Sequence, residues 1–154
     1  MKKSVWGPYI WTFLHCLTIR IKPEHFQSEK NILISYIERI CDNLPCPSCA
    51  MHAIQTLKKL KLKNVRNKDD LIECIYKMHN EVNIRLKKPI FDKSKLHETY
   101  KSYNLQMLMI NYFKLNNHVK YAEKMMVYSS RRKIFLKEFL DYCKNNTHKF
   151  DLII

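Results

Sequence analysis

Apolar residues recur every three or four positions along most of the chain, which is the spacing of one buried face on an α-helix. After Pro8, this pattern covers residues 9–21. A second run covers residues 24–43 and ends at Pro45, because the residue before a proline disfavours helical geometry. The pattern therefore predicts a first helix that begins near Pro8 and a second that ends just before a pair of cysteines.

The pattern predicts two more core helices after the cysteine pair. A third should cover residues 46–60, and a polar, basic link follows over residues 61–68. Acidic side chains are favourable in the first turn of a helix, so Asp69 and Asp70 indicate the start of a fourth. That helix should continue to about residue 87, because its apolar stripe runs that far and a proline follows.

Helical spacing continues towards the end of the chain. A short fifth helix around residues 94–103 would complete a compact core. Two further patterns cover residues 105–126 and 130–144, with no repeat or flexible linker before them. We therefore divide the chain into a core, residues 1–103, and a helical C-terminal extension, residues 104–154, which either packs on the core or offers a surface to a partner.

The composition favours an all-α fold. The 154 residues include one glycine, and 46% are hydrophobic. This is too few turn formers for a many-stranded β fold and too much apolar content for a disordered chain. No apolar run approaches the roughly 20 residues that a membrane span requires. The first residues lack the apolar stretch of a secretory signal, so we expect a protein that is neither exported nor membrane-spanning.

The chain is strongly basic. Its 28 Lys and Arg residues outnumber 14 acidic residues, for a formal net charge of +14. Such a charge would suit a polyanionic partner or a membrane surface. The charge is nevertheless spread along the chain with only a mild enrichment in the last third. A solvated basic surface explains it as well as nucleic-acid binding does, and we expect nucleic acid not to be a partner.

The segment Leu-Pro-Cys46-Pro-Ser-Cys49 is the chemical centre of the sequence. Its two thiols lie where a helix should begin, and the free amides and dipole of a helix start stabilise a thiolate. Such a pair is either a redox dithiol or half of a zinc site. Zinc needs two more ligands, for which Cys41 and His52 are the nearest candidates, although a helix break separates them.

A second polar group lies on the predicted fourth helix. His79 and Asn83 are one turn apart within an otherwise apolar stripe, and Lys88 follows. A lone histidine on such a face is most often a satisfied core residue, but this combination indicates a pocket for a ligand with polar edges and phosphates. Trp11 and His15, one turn apart on the first helix, add a flat ring and a polar tip.

Three motifs occur in order: Trp6-Gly7-Pro8-x-x-Trp11-x-x-Leu14-His15, then Cys46-x-x-Cys49, then His79-Asn80-x-Val82-Asn83 with Lys88-Pro89 beyond. Together they resemble the ERV/ALR family of flavin-linked sulfhydryl oxidases, over residues 5–103. The resemblance implies a four-helix bundle with a short fifth helix and a bound FAD. It also implies a thiol oxidase that forms disulfides in protein dithiols and reduces molecular oxygen to hydrogen peroxide.

The resemblance implies roles for individual residues. Cys49 would lie against the flavin and Cys46 would exchange with the substrate, so these two are the expected catalytic residues. Cys49 would also belong to the cofactor site. The other expected cofactor-binding residues are Gly7, Trp11, His15, His52, His79, Asn80, Val82, Asn83, Lys88 and Tyr100. No metal site is expected.

The chain departs from the family pattern in its other cysteines. Many cellular members have a disulfide between the fourth helix and the next segment, but Tyr76 and Lys93 occupy the matching positions here. A second, shuttle cysteine pair is also absent, so a protein dithiol or a thioredoxin-like carrier would reach Cys46 directly. Cys143 stands alone, and its bonding is open. Three further cysteines are expected to be free core thiols: Cys16, Cys41 and Cys74.

Compact members of this family are typical of large cytoplasmic DNA viruses. The resemblance therefore implies a homodimeric viral enzyme that works in the host cytoplasm or the virion.

Two alternatives to this function remain open. A basic, zinc-stabilised nucleic-acid-binding module would use Cys41, Cys46, Cys49 and His52, and zinc content would distinguish it. An inactive helical scaffold would use the extension as its working surface, and oxygen consumption with a dithiol would distinguish it.

Overall fold

The computed structural model describes residues 2–117 and 126–153, and these residues form helices joined by short links. The α-helices are α1 (Lys3–Arg20), α2 (Pro23–Asp42), α3 (Pro47–Lys59), α4 (Lys68–Arg85), α5 (Leu96–Tyr100), α6 (Leu105–Asn117) and α7 (Met126–Asn146). The described ranges also contain three 3-10 turns: Leu62–Asn64, Lys93–Lys95 and Thr147–Lys149. The predicted all-α class is confirmed. Within the described ranges, no helix is long and apolar enough to cross a bilayer.

Helices α1 to α4 form a bundle around one hydrophobic core. Helix α1 packs on α4, α2 packs on α3, and α3 packs on α4, while the short α5 lies against α1. Each of the four long helices contributes fully buried aliphatic side chains, of which Leu17, Ile37, Leu57 and Ile75 are examples. Burial of this apolar surface is the main driving force for the bundle. The predicted four-helix bundle with a short fifth helix is confirmed.

Local capping explains where α3 and α4 begin. Pro47 occupies the first turn of α3, where its missing amide hydrogen costs nothing. Asn67 caps α4 by accepting a 2.8 Å hydrogen bond from the Asp70 amide, and Asp69 also lies in the first turn. Helix α4 ends at Arg85, close to the predicted end near residue 87. The predicted starts of these helices are therefore confirmed.

Helix α1 begins earlier than the sequence pattern predicts. The prediction placed its start near Pro8, but the helix starts at Lys3 and contains Pro8. A proline inside a helix removes one backbone hydrogen bond. Here Trp6 is buried and lies one turn before the buried Ile10, so burial of the Trp6 side chain outweighs that loss. The predicted start was wrong because Trp6 belongs to the core.

The C-terminal helices pack on the bundle through aromatic side chains. Phe13 of α1 stacks on Tyr112 of α6, with ring centroids 4.9 Å apart. Tyr36 of α2 contacts both Phe139 and Tyr142 of α7 at 4.8 Å. These rings belong to the same hydrophobic cluster as the bundle core. The extension therefore shares the core of the bundle, and the domain boundary after residue 103 stays a prediction.

The predicted helices of the extension are found where the structure describes them. The prediction of a helix over residues 105–126 is confirmed as far as Asn117, and most of its remaining part lies outside the described residues. Helix α7 is longer at both ends than the predicted range of residues 130–144. Helix α5 is shorter than the predicted range of residues 94–103, and at its start the chain forms the 3-10 turn Lys93–Lys95 instead.

Candidate active site

Cys46 and Cys49 form a disulfide at the start of α3, with Cα atoms 5.2 Å apart. Cys46 is the N-cap residue, and its Sγ accepts a 3.3 Å hydrogen bond from the Cys49 amide. The Ser48 hydroxyl lies 3.2 Å from the same sulfur. Both cysteines are half-buried. A thiolate on Cys46 after reduction would therefore face an amide donor and the positive end of a helix dipole.

A cavity of about 360 Å³ lies between α1, α3, α4 and the segment around α5. Cys49 lines this cavity, whereas Cys46 is not among its lining residues. The disulfide thus borders the cavity through its second cysteine. Eight residues that the resemblance assigns to the cofactor lie together in the lining: Gly7, Trp11, Cys49, His79, Val82, Asn83, Lys88 and Tyr100.

Stacked rings from three helices form one wall of the cavity. Trp11 of α1 stacks on His79 of α4, with centroids 4.2 Å apart and planes 10° apart. His79 Nδ1 lies 3.0 Å from Nε2 of His15, in a hydrogen bond between the two imidazoles. The His15 ring in turn stacks on Tyr100 of α5 at 4.6 Å. Positions far apart in the sequence are thereby joined into one array.

His15 lies behind this wall rather than in the cavity lining. It is fully buried, and its Nδ1 has no hydrogen-bond partner among the described residues. Burial, together with the neighbouring His79, lowers the pKa of His15 to about 3. Burial and the positive charge of Lys88 lower the pKa of His79 to about 4. Both imidazoles are therefore uncharged at neutral pH.

Asn80 is occupied by contacts within the protein. Its Oδ1 accepts hydrogen bonds from the Phe91 amide at 2.9 Å and from Asn83 Nδ2 at 3.2 Å. Its Nδ2 donates to the Phe91 carbonyl at 3.1 Å. Asn80 is also absent from the cavity lining. The side chain therefore holds the segment around Phe91 against α4, and its predicted contact with a cofactor stays a prediction.

Polar contacts join the two segments that a disulfide connects in many cellular members. The Tyr76 hydroxyl donates a 3.0 Å hydrogen bond to the Phe91 carbonyl. Lys93 forms an ion pair with Glu73. The Phe91 ring also stacks on His79 at 6.2 Å. Tyr76 and Lys93, the positions at which the resemblance expects the two cysteines, thus take part in contacts that connect these segments.

His52 lies on α3, one turn after Cys49, and is half-buried. It does not line the cavity, so its role as a cofactor contact stays a prediction. Several lining residues were not predicted from the sequence, among them Lys3, Arg85, Thr99 and Tyr103. Thr99 and Tyr103 lie close in sequence to the predicted Tyr100, which is a signal for them. Lys3 and Arg85 belong to no motif.

Comparison with known proteins decides which family this chain belongs to. The model of the Erv1/Alr family matches residues 8–101, which is more than half of the chain. The chain belongs to the Erv1/Alr family. The matched region ends at the start of the loop before α6, so α6 and α7 lie beyond it.

Three relatives illustrate the similarity of this family member to known proteins. The FAD-linked sulfhydryl oxidase of African swine fever virus, isolate Pig/Kenya/KEN-50/1950, is 34% identical over 95 residues, which cover 62% of this chain and 79% of the viral protein. The mitochondrial FAD-linked sulfhydryl oxidase erv1 of Schizosaccharomyces pombe is 32% identical over 87 residues, covering 56% and 48% of the two chains. The FAD-linked sulfhydryl oxidase ERV2 of Saccharomyces cerevisiae is 30% identical over 101 residues, covering 65% and 50%.

The cavity of this Erv1/Alr member fits a flat ligand that carries phosphates. Among the described residues, its lining includes Lys3, Arg85 and Lys88 and no acidic side chain, which suits an anionic group. A Cβ added at Gly7 would meet no atom within 4 Å, so the backbone borders open space there. With the ring wall described above, these residues fit the rings and the pyrophosphate of FAD.

The four other cysteines are buried, and none of them forms a disulfide. Burial raises the pKa of Cys16 and Cys74 to about 11 and that of Cys41 and Cys143 to about 12. They are therefore protonated at neutral pH and poorly reactive. This confirms the predicted core thiols Cys16, Cys41 and Cys74. Cys143, whose bonding was open, is also a buried free thiol.

The zinc alternative lacks a ligand set in the described part of the chain. Within residues 2–117 and 126–153, no group of three or more His, Cys, Asp or Glu side chains is placed to hold a metal ion. Two of the four candidate ligands, Cys46 and Cys49, are bonded to each other. The placement of the candidate ligands therefore gives no support to a zinc-stabilised module.

Proposed function

We propose that this chain is an FAD-dependent thiol oxidase, which forms disulfides in protein dithiols and reduces molecular oxygen to hydrogen peroxide. The observation that carries the proposal is the position of Cys49, half of a disulfide at a helix start, in the lining of a cavity with an aromatic wall. Membership of the Erv1/Alr family supports it, because the relatives named above are FAD-linked sulfhydryl oxidases.

The cavity residues would hold the cofactor in two ways. Trp11, His79 and Tyr100 would pack against its rings, and Lys88 with Arg85 would pair with its pyrophosphate. When bound, FAD supplies a two-electron acceptor that oxygen can reoxidise. The uncharged His79 would add no positive charge beside the rings.

The disulfide exchanges with the substrate through Cys46. A substrate thiolate attacks Cys46 Sγ, the bond between the two cysteines breaks, and Cys49 leaves as a thiolate. A second substrate thiolate then attacks the substrate sulfur of this mixed disulfide. The substrate disulfide forms, and Cys46 leaves as a thiolate that the Cys49 amide is placed to stabilise. Two electrons have then moved from the substrate to the cysteine pair.

Oxygen consumption with a small dithiol tests the proposal. The wild type should consume oxygen and produce hydrogen peroxide, whereas Cys46→Ser and Cys49→Ser should reduce turnover to background because neither can form the disulfide. Cys74→Ala is the matched control, since Cys74 is a buried free thiol outside the cavity lining. This control should stay active. Turnover that persists in both serine variants would contradict the mechanism.

We further propose a homodimer that oxidises a protein dithiol or a thioredoxin-like carrier in the host cytoplasm or the virion. Viral proteins among the relatives support this setting, and the half-buried Cys46 supports a protein substrate. Sedimentation should give the mass of two chains, and a single-chain mass would contradict the dimer.

Mixed-disulfide trapping with Cys49→Ser in infected cells should capture a dithiol protein; capture of none would contradict the proposed substrate.

A further inference from the structure

Arg20, at the end of α1, is a fully buried cation, with 0% of its surface exposed. Among the described residues, its guanidinium donates five hydrogen bonds, all to main-chain carbonyl oxygens. Nη1 donates to Asp151 and Leu152 at 3.2 Å. Nη2 donates to Tyr100 and Lys101 at 2.9 Å and to Tyr103 at 2.8 Å. A buried charge is expensive unless polar groups surround it, so these carbonyls must stay in place around the guanidinium.

The carbonyls come from two segments that are far apart in the sequence. Three belong to the end of α5 and the loop after it, and two belong to residues 149–152, which we name the C-terminal strap. The strap also has its own anchors. The Asp151 amide donates to the Arg20 carbonyl at 2.8 Å, and the Leu105 amide donates to the Leu152 carbonyl at 2.9 Å. Phe150, only 2% exposed, pairs with Ile21 in an isolated bridge.

Arg20 connects the strap to the wall of the cavity. Tyr100 and Tyr103, two of its carbonyl partners, both line the cavity. The Tyr100 ring also stacks on His15, which is hydrogen-bonded to His79. If the strap leaves, Arg20 loses two acceptors and gains contact with water. The carbonyls of Tyr100, Lys101 and Tyr103 would then be held by a guanidinium that is no longer fixed on its other side, and the two tyrosine rings would be less restrained.

We propose that Arg20 is a positioning residue for the cofactor cavity and that the C-terminal strap acts through it to hold Tyr100 and Tyr103 in the cavity wall. The inference rests on the proposed function, since the ligand that the wall retains is FAD. It gives the C-terminal extension a role that the matched family region, residues 8–101, does not include. Retention of FAD thus depends on residues near the end of the chain.

Phe150→Ala tests the strap without altering Arg20 or any cavity residue. The matched control is Phe135→Ala, because Phe135 is equally buried in α7 but packs on Phe139 and Arg39. Both variants lose a buried phenylalanine, so both should lose stability. Only Phe150→Ala should speed amide hydrogen exchange in residues 96–105, and it should release FAD about tenfold faster than the control in a fluorescence dilution assay.

Conservative replacement of Arg20 gives a second reading. Arg20→Lys keeps the charge but offers three donors instead of five, so FAD release should be intermediate between wild type and Phe150→Ala. Equal exchange and equal FAD release in the two alanine variants would overturn the role of the strap while leaving the proposed function intact. A wild type that binds no FAD would instead overturn the proposed function. It would also overturn the proposal that the strap helps to retain FAD.

Discussion

Two regions that border the cavity are built differently. At the disulfide end, the Cys46–Cys49 pair is half-buried and held by a helix cap, and at what we call the Arg20 end, Tyr100 is held by the fully buried Arg20. The cysteine pair must exchange bonds with a substrate thiol, so a substrate must be able to reach its sulfur atoms. The Arg20 end makes no bonds with a substrate and is surrounded by five carbonyl contacts. The cysteines that react with the substrate are thus partly accessible, whereas the arginine that holds the cavity wall is fully buried and fixed by hydrogen bonds.

The largest expected effect on stability comes from the Arg20 end. Arg20→Met should lower the free energy of unfolding by about 3 kcal/mol, because a buried acceptor left without a donor costs about 1–3 kcal/mol. The variant removes the guanidinium donor from the buried Tyr100 carbonyl and from the partly buried carbonyls of Lys101, Tyr103 and Asp151. Arg39→Met is the control, since Arg39 forms a partly exposed ion pair with Glu138 and lies over the Phe135 ring. Each of these contacts should contribute about 1 kcal/mol or less. Urea denaturation measures both variants. Equal losses in the free energy of unfolding would contradict the claim that the buried Arg20 stabilises the fold more than the partly exposed Arg39 does.

Loss of the disulfide should change stability less. The Cys46–Cys49 bond closes a very short loop, so Cys49→Ser should lower the free energy of unfolding by about 2 kcal/mol or less. The same variant should lose thiol oxidation, which separates reactivity from stability at this end. A loss in urea denaturation as large as that of Arg20→Met would show that the disulfide is also a major structural element.

Acid should lower the stability of the fold through the two histidines of the ring wall, His15 and His79. The folded chain keeps His15 and His79 uncharged, with pKa values lowered to about 3 and 4 from 6.5, mainly by burial. Between about pH 6.5 and 4 the unfolded chain therefore binds more protons, and stability falls as pH falls. Urea denaturation across this range should show a smaller pH dependence for His79→Gln. His97→Gln, which removes an exposed histidine, should leave it unchanged; equal slopes in all three would contradict this assignment.

The smallest expected effect lies where the extension packs on α2. Glu29 is buried, and burial alone would raise the pKa of its carboxyl group, but hydrogen bonds from Lys149 and Tyr142 outweigh this effect and lower the pKa below 4.5. Its contribution to stability is therefore present above pH 4.5 and is lost as pH falls further. Glu29→Gln should cost about 1 kcal/mol at neutral pH. Glu98→Gln, in an exposed pair with Lys101, should cost less; an equal cost would contradict the buried role of Glu29.

Local signals in the sequence predicted much of the fold. Pro45 ends the second apolar pattern before α3, and the first-turn acids Asp69 and Asp70 mark the start of α4. These signals do not depend on the rest of the chain. The start of α1 could not be predicted in this way. It depends on Trp6 being buried in the core, which a local pattern next to Pro8 does not reveal.

The candidate site was predictable where residues belong to ordered motifs. Trp11, Cys49 and His79 were predicted from such motifs, and they lie together in the cavity. Asn80 belongs to the same motif, but its polar atoms bond to the Phe91 backbone, a contact that spacing does not indicate. The role of Arg20 was not predictable, because its carbonyl partners lie eighty or more positions away.

The visible absorption spectrum of the purified protein tests the central claim most directly. The account predicts a yellow protein with a flavin band near roughly 450 nm, which dithiothreitol bleaches and air restores. The bleaching should depend on the Cys46–Cys49 pair. A protein that stays colourless after FAD is added would contradict the account.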